Sequence, residues 1–548
     1  MTEPPIVETR FSRFVLPGLV LLTVVFVHLM RSPYGEPWKN NDETRHVMTG
    51  VFFRDAIHDA PASLRDPKGY AERYYTQYPA LGLIVWPPFF YVVEGAVMAV
   101  LGTDYAVARG VLTGFALLAT FHFLRFAKKM LGGAETSLAL AVFLLGYLML
   151  DLSRHVLLEL PTLALVLGSI VHFEAYLTQG KRRDALLVCG FAAAAALTRF
   201  DGVVLLPYFG LRLVMLRRFS VLLHGSVLIG IAGAALATVP YYAFTWLHYG
   251  QGLSTAATQG TIQESSGFLA LRNFIDYPLF VRWQVGFAAV FFGIIGAVVP
   301  GGFRRFGPAY ALFAATYVAF VPLAEPEMRH AVYWLPAVAV FAARGAMVFW
   351  QRFGRTVGTI GVVALVGGTT LQAVWDPGWT VRGYEDAAIH VLTKRETDRP
   401  VLMDGVLNGG FIYQIRRHDP ERKVQVLRGD KLFYAMLSDP RSGYTQFAAD
   451  EAELLKLLHD ADPEWIVLEQ PQLFYMHLHG ATLLRETIAK YPERFRLEYV
   501  VRIGGNHDEF TTGRLELYRK LDRNPHPIAP SAVPVLGLGR AIGSPTSE

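Results

Sequence analysis

Charged residues are scarce in this chain. They make up 18% of its 548 residues, while hydrophobic residues make up 52%, and the mean hydropathy is +0.31. Soluble globular domains carry roughly 25% charged residues, so the composition excludes a chain that is soluble throughout. It predicts a polytopic α-helical membrane protein, in which apolar residues dominate up to residue 375 and charge returns after it.

Cysteine is nearly absent. Cys189 is the only one, and it lies in an apolar run, which excludes an intramolecular disulfide. The first apolar run lacks a small-residue cleavage site before Pro33, so we expect a retained helix and not a signal peptide. Lys and Arg occur in short clusters between apolar segments, which predicts contact with membrane lipids and no nucleic-acid partner.

Apolar runs near membrane-crossing length, roughly 17 to 25 residues, predict about 11 transmembrane helices within a first domain, 1–375. The runs are 14–30, 105–124, 136–150, 158–177, 185–197, 202–216, 221–247, 285–300, 307–323, 331–350 and 357–375. Arg10 and Arg13 precede the first run. The N-terminus is therefore predicted to be cytoplasmic and the first loop, 31–77, to lie outside.

A further apolar run, 78–101, decides the topology. If it does not cross the membrane, the basic clusters behind it, such as Arg217-Arg218, all fall on the cytoplasmic side, as positive residues usually do. If it crosses, they all fall outside. Pro79 and Glu94 would also leave a backbone group or a charge unsatisfied in lipid. We therefore predict an interfacial or re-entrant segment.

This orientation gathers four clusters of mixed charge on the outer face. They are Asp42-Glu43, Asp151-Arg154-His155-Glu159, Arg199-Asp201 and Glu325-Glu327-Arg329-His330. Charges near helix ends are costly in a membrane and often functional, although each cluster alone could be an interfacial anchor. Their convergence predicts an active site on the extracytoplasmic face of an inner or plasma membrane.

Beyond residue 375 the pattern changes. Short strand-like runs such as 401–404 and 465–469 alternate with amphipathic ones, which predicts an extracytoplasmic α/β domain over 376–521. It contains no Gly-rich phosphate loop or metal-spaced His/Cys set, so we expect a supporting or acceptor-binding role. The tail, 522–548, is rich in Pro, Gly and Ser and is predicted to be disordered.

A long polar stretch, 248–284, interrupts the apolar runs. It contains Gln, Thr, Ser, Gly and Asn, with few large apolar residues before Phe268. We predict an outer loop that could be a lid or only a linker.

Five short motifs follow one another along the first domain. They are Asn41-Asp42-Glu43-Thr44-Arg45-His46, Trp86-Pro87-Pro88, Ser153-Arg154 with Glu159, Leu197-Thr198-Arg199, and Met328-Arg329-His330 leading to Leu335-Pro336. In type and order they resemble the GT-C-fold glycosyltransferases that use polyprenyl-phosphate sugars, in particular protein O-mannosyltransferases and the lipid A aminoarabinose transferase. Trp86, Glu159 and Arg199 stand where that family usually has His, Asp and Lys.

The resemblance implies an inverting transfer of a sugar from a polyprenyl-phosphate donor to a hydroxyl acceptor on a protein, lipid or glycan. Asp42 is then expected to be the catalytic base that takes the hydroxyl proton. Glu43 or Glu159 would orient the acceptor or the sugar. Positive charge is needed at the leaving phosphate, and the candidates are Arg154, Arg199 and Arg329. Asp201 and His330 complete the predicted substrate-binding set.

No cofactor is required for this chemistry, because displacement at carbon does not need a metal. His330 with Glu327 could hold a divalent metal, or the two could form a hydrogen-bonded pair.

Two other functions stay open. A membrane carrier of a lipid-linked sugar or another solute would also have intramembrane charges, although no inverted repeat is visible. A polysaccharide ligase or polymerase would share the many spans, but its largest soluble loop would lie between helices.

Overall fold

The computed structural model describes most of the chain. The described residues are 16–31, 38, 40–83, 86–262, 273–299, 303–320, 327–375, 380–436, 444–471, 478–505, 513–526, 535–537 and 540–542. The predicted domain boundary at 375/376, Glu325 and most of the tail 522–548 lie outside these ranges, as do Arg10 and Arg13.

Helices dominate up to residue 375. They are α1 (Leu16–Arg31), α2 (Asn41–His58), α3 (Ala62–Arg65), α4 (Pro67–Gln77), α5 (Phe89–Leu101), α6 (Tyr105–Lys128), α7 (Gly133–Leu145), α8 (Tyr147–Leu152), α9 (Glu159–Gln179), α10 (Arg182–Ala196), α11 (Leu205–Leu216), α12 (Gly225–Ile262), α13 (Asn273–Val285), α14 (Phe287–Val298), α15 (Gly307–Phe320) and α16 (Leu335–Trp375). The 3-10 turns Phe200–Val204, Phe219–Leu223 and Met328–Trp334 lead into α11, α12 and α16.

Within the described ranges, four helical stretches are long and apolar enough to cross a membrane. A fifth crossing results if α13 and α14, which meet at 117°, count as one. Five of the other predicted segments form helices of 12 to 16 residues. The predicted segment 331–350 begins in the 3-10 turn Met328–Trp334 and continues into α16, which also contains 357–375 and is broken at Gly354, where φ is 80°. The number of about 11 crossings stays a prediction.

The predicted first outer loop is largely helical. The Asn40 side chain caps α2 by accepting a hydrogen bond from the Glu43 N–H at 3.1 Å, and acidic residues in a first turn stabilise a helix. The run that follows, 78–101, ends in α5, which has 13 residues. A helix of that size is about 20 Å long, shorter than the ~30 Å hydrocarbon core. It packs along α2, with Glu94 buried against Gly50.

The predicted polar loop over 248–284 is wrong at both ends. α12 continues to Ile262 and α13 begins at Asn273, while 263–272 lie outside the described residues. The chain has no proline between Pro240 and Pro278, so nothing obliges the helix to end where the sequence turns polar.

After residue 380, strands and helices alternate. The strands are β1 (Val381–Arg382), β2 (Val401–Asp404), β3 (Val426–Arg428), β4 (Tyr434–Met436), β5 (Tyr444–Gln446), β6 (Trp465–Gln470), β7 (Phe495–Arg502), β8 (Gly504–Gly505), β9 (Arg514–Lys520), β10 (Val535–Gly537) and β11 (Arg540–Ile542). The helices are α17 (Tyr384–Lys394), α18 (Asn408–His418), α19 (Gly429–Leu432), α20 (Glu451–Ala461) and α21 (His479–Lys490).

Five of these strands form one sheet in the order β3-β2-β6-β9-β7. β2 runs parallel to both β3 and β6, and β9 runs antiparallel to β6 and β7. One sheet face, with Val401 and Val467, joins the hydrophobic core of the helical region, and the other face packs with residues of α20 and α21. The carboxyl ends of β3, β2 and β6 share one edge of the sheet.

Helix α18 lies against the first turns of α2. Gly409 abuts Thr44 so closely that a Cβ would collide with the Thr44 hydroxyl. Further along, the Arg416 guanidinium binds Asp55 through Nε–Oδ2 at 2.8 Å and Nη2–Oδ1 at 2.7 Å, and the Tyr74 hydroxyl donates to the same carboxylate at 2.6 Å. The region after residue 380 therefore holds α2 in position.

Two helices of the first region approach closely through glycine. A Cβ on Gly296 of α14 would collide with the carbonyl oxygen of Phe341 in α16, and one on Gly345 would collide with that of Phe292. Small residues at such a crossing let two backbones touch, a common way for membrane helices to pack.

Gly296→Ala should therefore separate α14 from α16 and lower the thermal unfolding midpoint in detergent. Overpacking of this kind costs about 1 to 3 kcal/mol. Gly293→Ala is the matched control, because a Cβ on Gly293 meets no atom within 4 Å. Equal midpoints for the two variants would contradict the close crossing.

Gly409→Ala should destabilise the protein through Thr44, and Thr44→Ala should relieve much of that loss. The two substitutions together are then expected to cost less than the sum of the two alone, since the residues touch. Unfolding midpoints of the two single variants and the double variant measure this coupling. Gly504→Ala is the control, since the nearest atom to a Cβ there is 3.9 Å away. Strict additivity would contradict the contact.

Candidate active site

The first turn of α2 points its two carboxylates in different directions. Asp42 Oδ2 accepts a hydrogen bond from Arg329 Nη2 at 3.1 Å, with 29% of the Asp42 side chain exposed. Glu43 is fully buried. It accepts from the Tyr105 hydroxyl and from the Val156 N–H at 2.8 Å. Asp42 is therefore partly exposed beside an arginine, while Glu43 is enclosed at the junction of the helices.

The carboxylate of Glu43 has a third partner. His155 Nδ1 lies 3.1 Å from Glu43 Oε2, and both side chains are buried. Glu43 was predicted to orient the acceptor or the sugar. In the structure it ties α2 to the segment between α8 and α9.

Asp42 belongs to a group of four carboxylates and two arginines, the acid–arginine cluster. Its members are Asp42, Glu159, Asp201, Glu327, Arg199 and Arg329. They come from α2, the first residue of α9, the turn between α10 and α11, and the 3-10 turn before α16. Besides Asp42, four of the sequence-predicted site residues therefore belong to this cluster, namely Glu159, Arg199, Asp201 and Arg329.

The two arginines bridge the carboxylates. Arg329 pairs with Asp42 and Glu327, and its Nε lies 3.5 Å from Glu159 Oε1. Arg199 reaches the same oxygen with Nη1 at 3.1 Å and donates from Nε to Asp201 at 2.6 Å. Four carboxylates against two guanidinium groups leave an excess of two negative charges.

Glu159 is buried and short of hydrogen bonds. Its exposure is 0%, and within the described part of the chain neither carboxylate oxygen has a hydrogen-bond partner. Both arginines lie at ion-pair distance, but neither is aligned to donate. A buried acceptor without a donor is costly, so Glu159 is suited to accept hydrogen bonds from a ligand.

The charges set the protonation of the groups outside the spans. Burial acts to raise the pKa of Asp42, but Arg329, His46 and Arg45 together lower it below its ordinary value. Burial lowers the pKa of His46 to about 4 despite the neighbouring carboxylates. Asp42 is therefore ionised and His46 neutral near pH 7.

His46 is a residue that was not assigned a role from the sequence. Its Nδ1 lies 2.6 Å from the Tyr91 hydroxyl, and its ring contacts Trp86 edge-on with centroids 4.6 Å apart. Residues four apart share a helix face. A helix predicted to begin at Asn41 would therefore have placed His46 on the same face as Asp42.

Two other predicted site residues, Arg154 and His330, are not members of the acid–arginine cluster. Arg154 is buried, with 3% exposure. His330 Nε2 lies 4.0 Å from Glu327 Oε2, too far for a hydrogen bond, and its buried Nδ1 has no partner within the described ranges. No group of three or more His, Cys, Asp or Glu side chains suited to a metal occurs among the described residues.

Comparison with known proteins finds similarity to solved structures. No family model and no curated protein sequence matches the chain. ArnT from Cupriavidus metallidurans, solved bound to undecaprenyl phosphate, superimposes with a TM-score of 0.60 at 14% identity, covering 94% of this chain and 100% of ArnT. The oligosaccharyltransferase of Archaeoglobus fulgidus gives 0.54 at 12% identity, covering 84% of this chain and 70% of that one.

A third solved structure is the arabinofuranosyltransferase AftD from Mycobacteria. It gives a TM-score of 0.55 at 13% identity, covering 93% of this chain and 40% of AftD. The apolar helices and these membrane neighbours indicate an integral membrane protein. All three neighbours are glycosyltransferases of one architecture, and the chain has that architecture, the GT-C fold.

Proposed function

We propose that the chain is an inverting glycosyltransferase that moves a sugar from a polyprenyl-phosphate donor to a hydroxyl acceptor. The observation that carries this is the acid–arginine cluster. It brings an ionised, partly exposed carboxylate, Asp42, near the buried Glu159, whose oxygens lie at ion-pair distance from arginine but have no aligned hydrogen-bond donor among the described residues. The GT-C fold supports it, since a solved neighbour, ArnT, binds undecaprenyl phosphate.

Asp42 acts as the base in this reaction. The acceptor oxygen forms a bond to the anomeric carbon as the bond from that carbon to the phosphate oxygen breaks, and the electron pair leaves on the lipid phosphate. The acceptor hydroxyl becomes acidic as its new bond forms and passes its proton to Asp42. The low pKa of Asp42 keeps it ionised and ready before each turnover.

The other members of the cluster position the reactants. Glu159 accepts hydrogen bonds from hydroxyls of the sugar or the acceptor, which would satisfy its buried oxygens. Arg329 holds Asp42 and Glu159 in a fixed relation. Arg199 and Arg329 were expected at the leaving phosphate, but their charge is already exceeded by that of four carboxylates. We therefore assign both arginines to positioning, and Glu43 to holding α2.

The reaction is proposed to occur on the extracytoplasmic face. Tyr105, at the start of α6, reaches Glu43 beside the site, while Lys128 ends the same helix. At 1.5 Å per residue the two ends are about 35 Å apart, enough to cross the hydrocarbon core. The basic residues in the last turn of α6 are typical of a cytoplasmic helix end.

Asp42→Asn should abolish transfer, with a loss of at least about 100-fold, the usual contribution of a general base. The assay presents a panel of lipid-phosphate sugars with membrane extract to purified protein and detects donor consumption and product by mass spectrometry. Asp398→Asn is the control, because its side chain is 96% exposed and remote from the cluster in sequence. Undiminished turnover by Asp42→Asn would exclude the assignment, and a pure carrier would not consume donor at all.

Sidedness is tested with single cysteines in a Cys189→Ser background. Lys68→Cys, in the exposed part of α4, should react with an impermeant thiol reagent added from outside intact cells, and Lys128→Cys should not. Labelling of both would mean that the run 78–101 crosses the membrane.

A further inference from the structure

A second group of charges adjoins Asp42 through Arg45. Arg45 follows Asp42 by one turn of α2, Arg428 ends β3, and Lys431 lies in α19, with Asp430 among them. We call Arg45, Arg428 and Lys431 the basic cluster. It lies at the junction of α2, the sheet edge and the start of the interfacial run.

Arg428 is fully engaged. It is buried, with 4% exposure, and pairs with Asp430 through Nε at 2.8 Å from Oδ1 and through Nη2. Its Nη1 donates to the Pro79 carbonyl at 2.7 Å. Arg428 therefore fixes the carboxyl edge of the sheet to the residues that enter the interfacial run, and Asp430 balances its charge.

Among the described residues, Arg45 and Lys431 have no such direct partner. Both are half-buried, and within the described ranges neither forms an ion pair or a side-chain hydrogen bond. Burial lowers the pKa of Lys431 to about 8; Asp430 opposes this decrease, and the smaller effects of Arg428 and Arg45 add to it. Cations that outnumber the nearby carboxylates repel one another, and a site with such an excess of one charge attracts an anion.

The two clusters have opposite excess charge. The acid–arginine cluster has four carboxylates and two arginines, a surplus of two negative charges. The basic cluster has three cations and Asp430, a surplus of two positive charges. An oxyanion is therefore repelled by the acid–arginine cluster and attracted by the basic cluster.

We propose that the basic cluster is a phosphate-binding subsite, with Arg45 and Lys431 as its direct ligands and Arg428 as the residue that positions them. This rests on the proposed function. Breaking the sugar–phosphate bond converts a phosphodiester with one negative charge into a monoester that gains a second one, so cations are needed where that phosphate lies. The contact with Pro79 puts the subsite where the interfacial run begins, the level at which a lipid phosphate would enter.

The same chemistry could serve an anionic acceptor, so the test uses two probes. Equilibrium binding of undecaprenyl phosphate and of inorganic phosphate is measured on the full-length protein in detergent. Lys431→Gln should weaken binding of undecaprenyl phosphate at least about tenfold, the size expected for a hydrogen bond between charged groups. Lys431→Arg should restore it. Lys423→Gln is the matched control, since Lys423 is 64% exposed and pairs with Glu421.

Each outcome decides a point, once unfolding midpoints confirm that every variant is folded. Weaker binding of the lipid phosphate supports the proposal for the leaving group. Weaker binding of inorganic phosphate alone keeps the oxyanion subsite but assigns it to an anionic acceptor. Unchanged affinity for both probes overturns it.

The subsite and the proposed reaction can be tested separately. Asp42→Asn should bind undecaprenyl phosphate at least as tightly as the unmodified protein does, because Asp42 is not a ligand of the phosphate and its negative charge repels it. Binding that depends on Lys431 in a protein with no transfer activity would refute the transferase and retain the subsite.

Discussion

The contact on which this architecture depends is the bridge that Arg329 makes between Asp42 and Glu159. Its partners come from α2 and from the first residue of α9, and Arg329 itself precedes α16. Removing one member of a buried ion pair leaves an uncompensated charge, which typically costs about 3 to 5 kcal/mol. The positions of three helices are therefore coupled to the charge balance around one guanidinium group.

In the proposed reaction, that balance also separates the sugar and acceptor hydroxyls from the leaving phosphate. Asp42 and Arg45 lie about one turn apart on α2. Asp42 belongs to the acid–arginine cluster, which has excess negative charge, and Arg45 belongs to the basic cluster, which has excess positive charge. Hydroxyl groups of a sugar can satisfy Glu159, which is rich in acceptors and short of donors. Phosphate, which has only oxygens to offer, is better matched by cations. A donor placed between the clusters would be oriented by charge before any reaction occurred.

Part of this could be predicted from the sequence. The membrane class followed from composition, and the GT-C fold followed from the order of short motifs around Asp42, Glu159, Arg199 and Arg329. The different surroundings of Asp42 and Glu43 could not be predicted, because the acidic pair was interpreted as part of a loop, in which side-chain directions are undefined. As neighbours on a helix, the two point about 100° apart, and the cap at Asn40 was the signal that α2 begins there.

The remaining part depends on contacts that no local pattern reveals. Nothing near Asp42 in sequence indicates Lys431, which is almost 400 residues further along the chain. The glycines in the first turn of α18 indicate a chain turn as readily as a packing contact with Thr44. The structure joins them because the carboxyl edge of the sheet faces α2. Ligand sites of open α/β sheets commonly form at that edge. Here the edge supplies Arg428 to the junction, so the region after residue 380 forms one wall of the site that α2 begins.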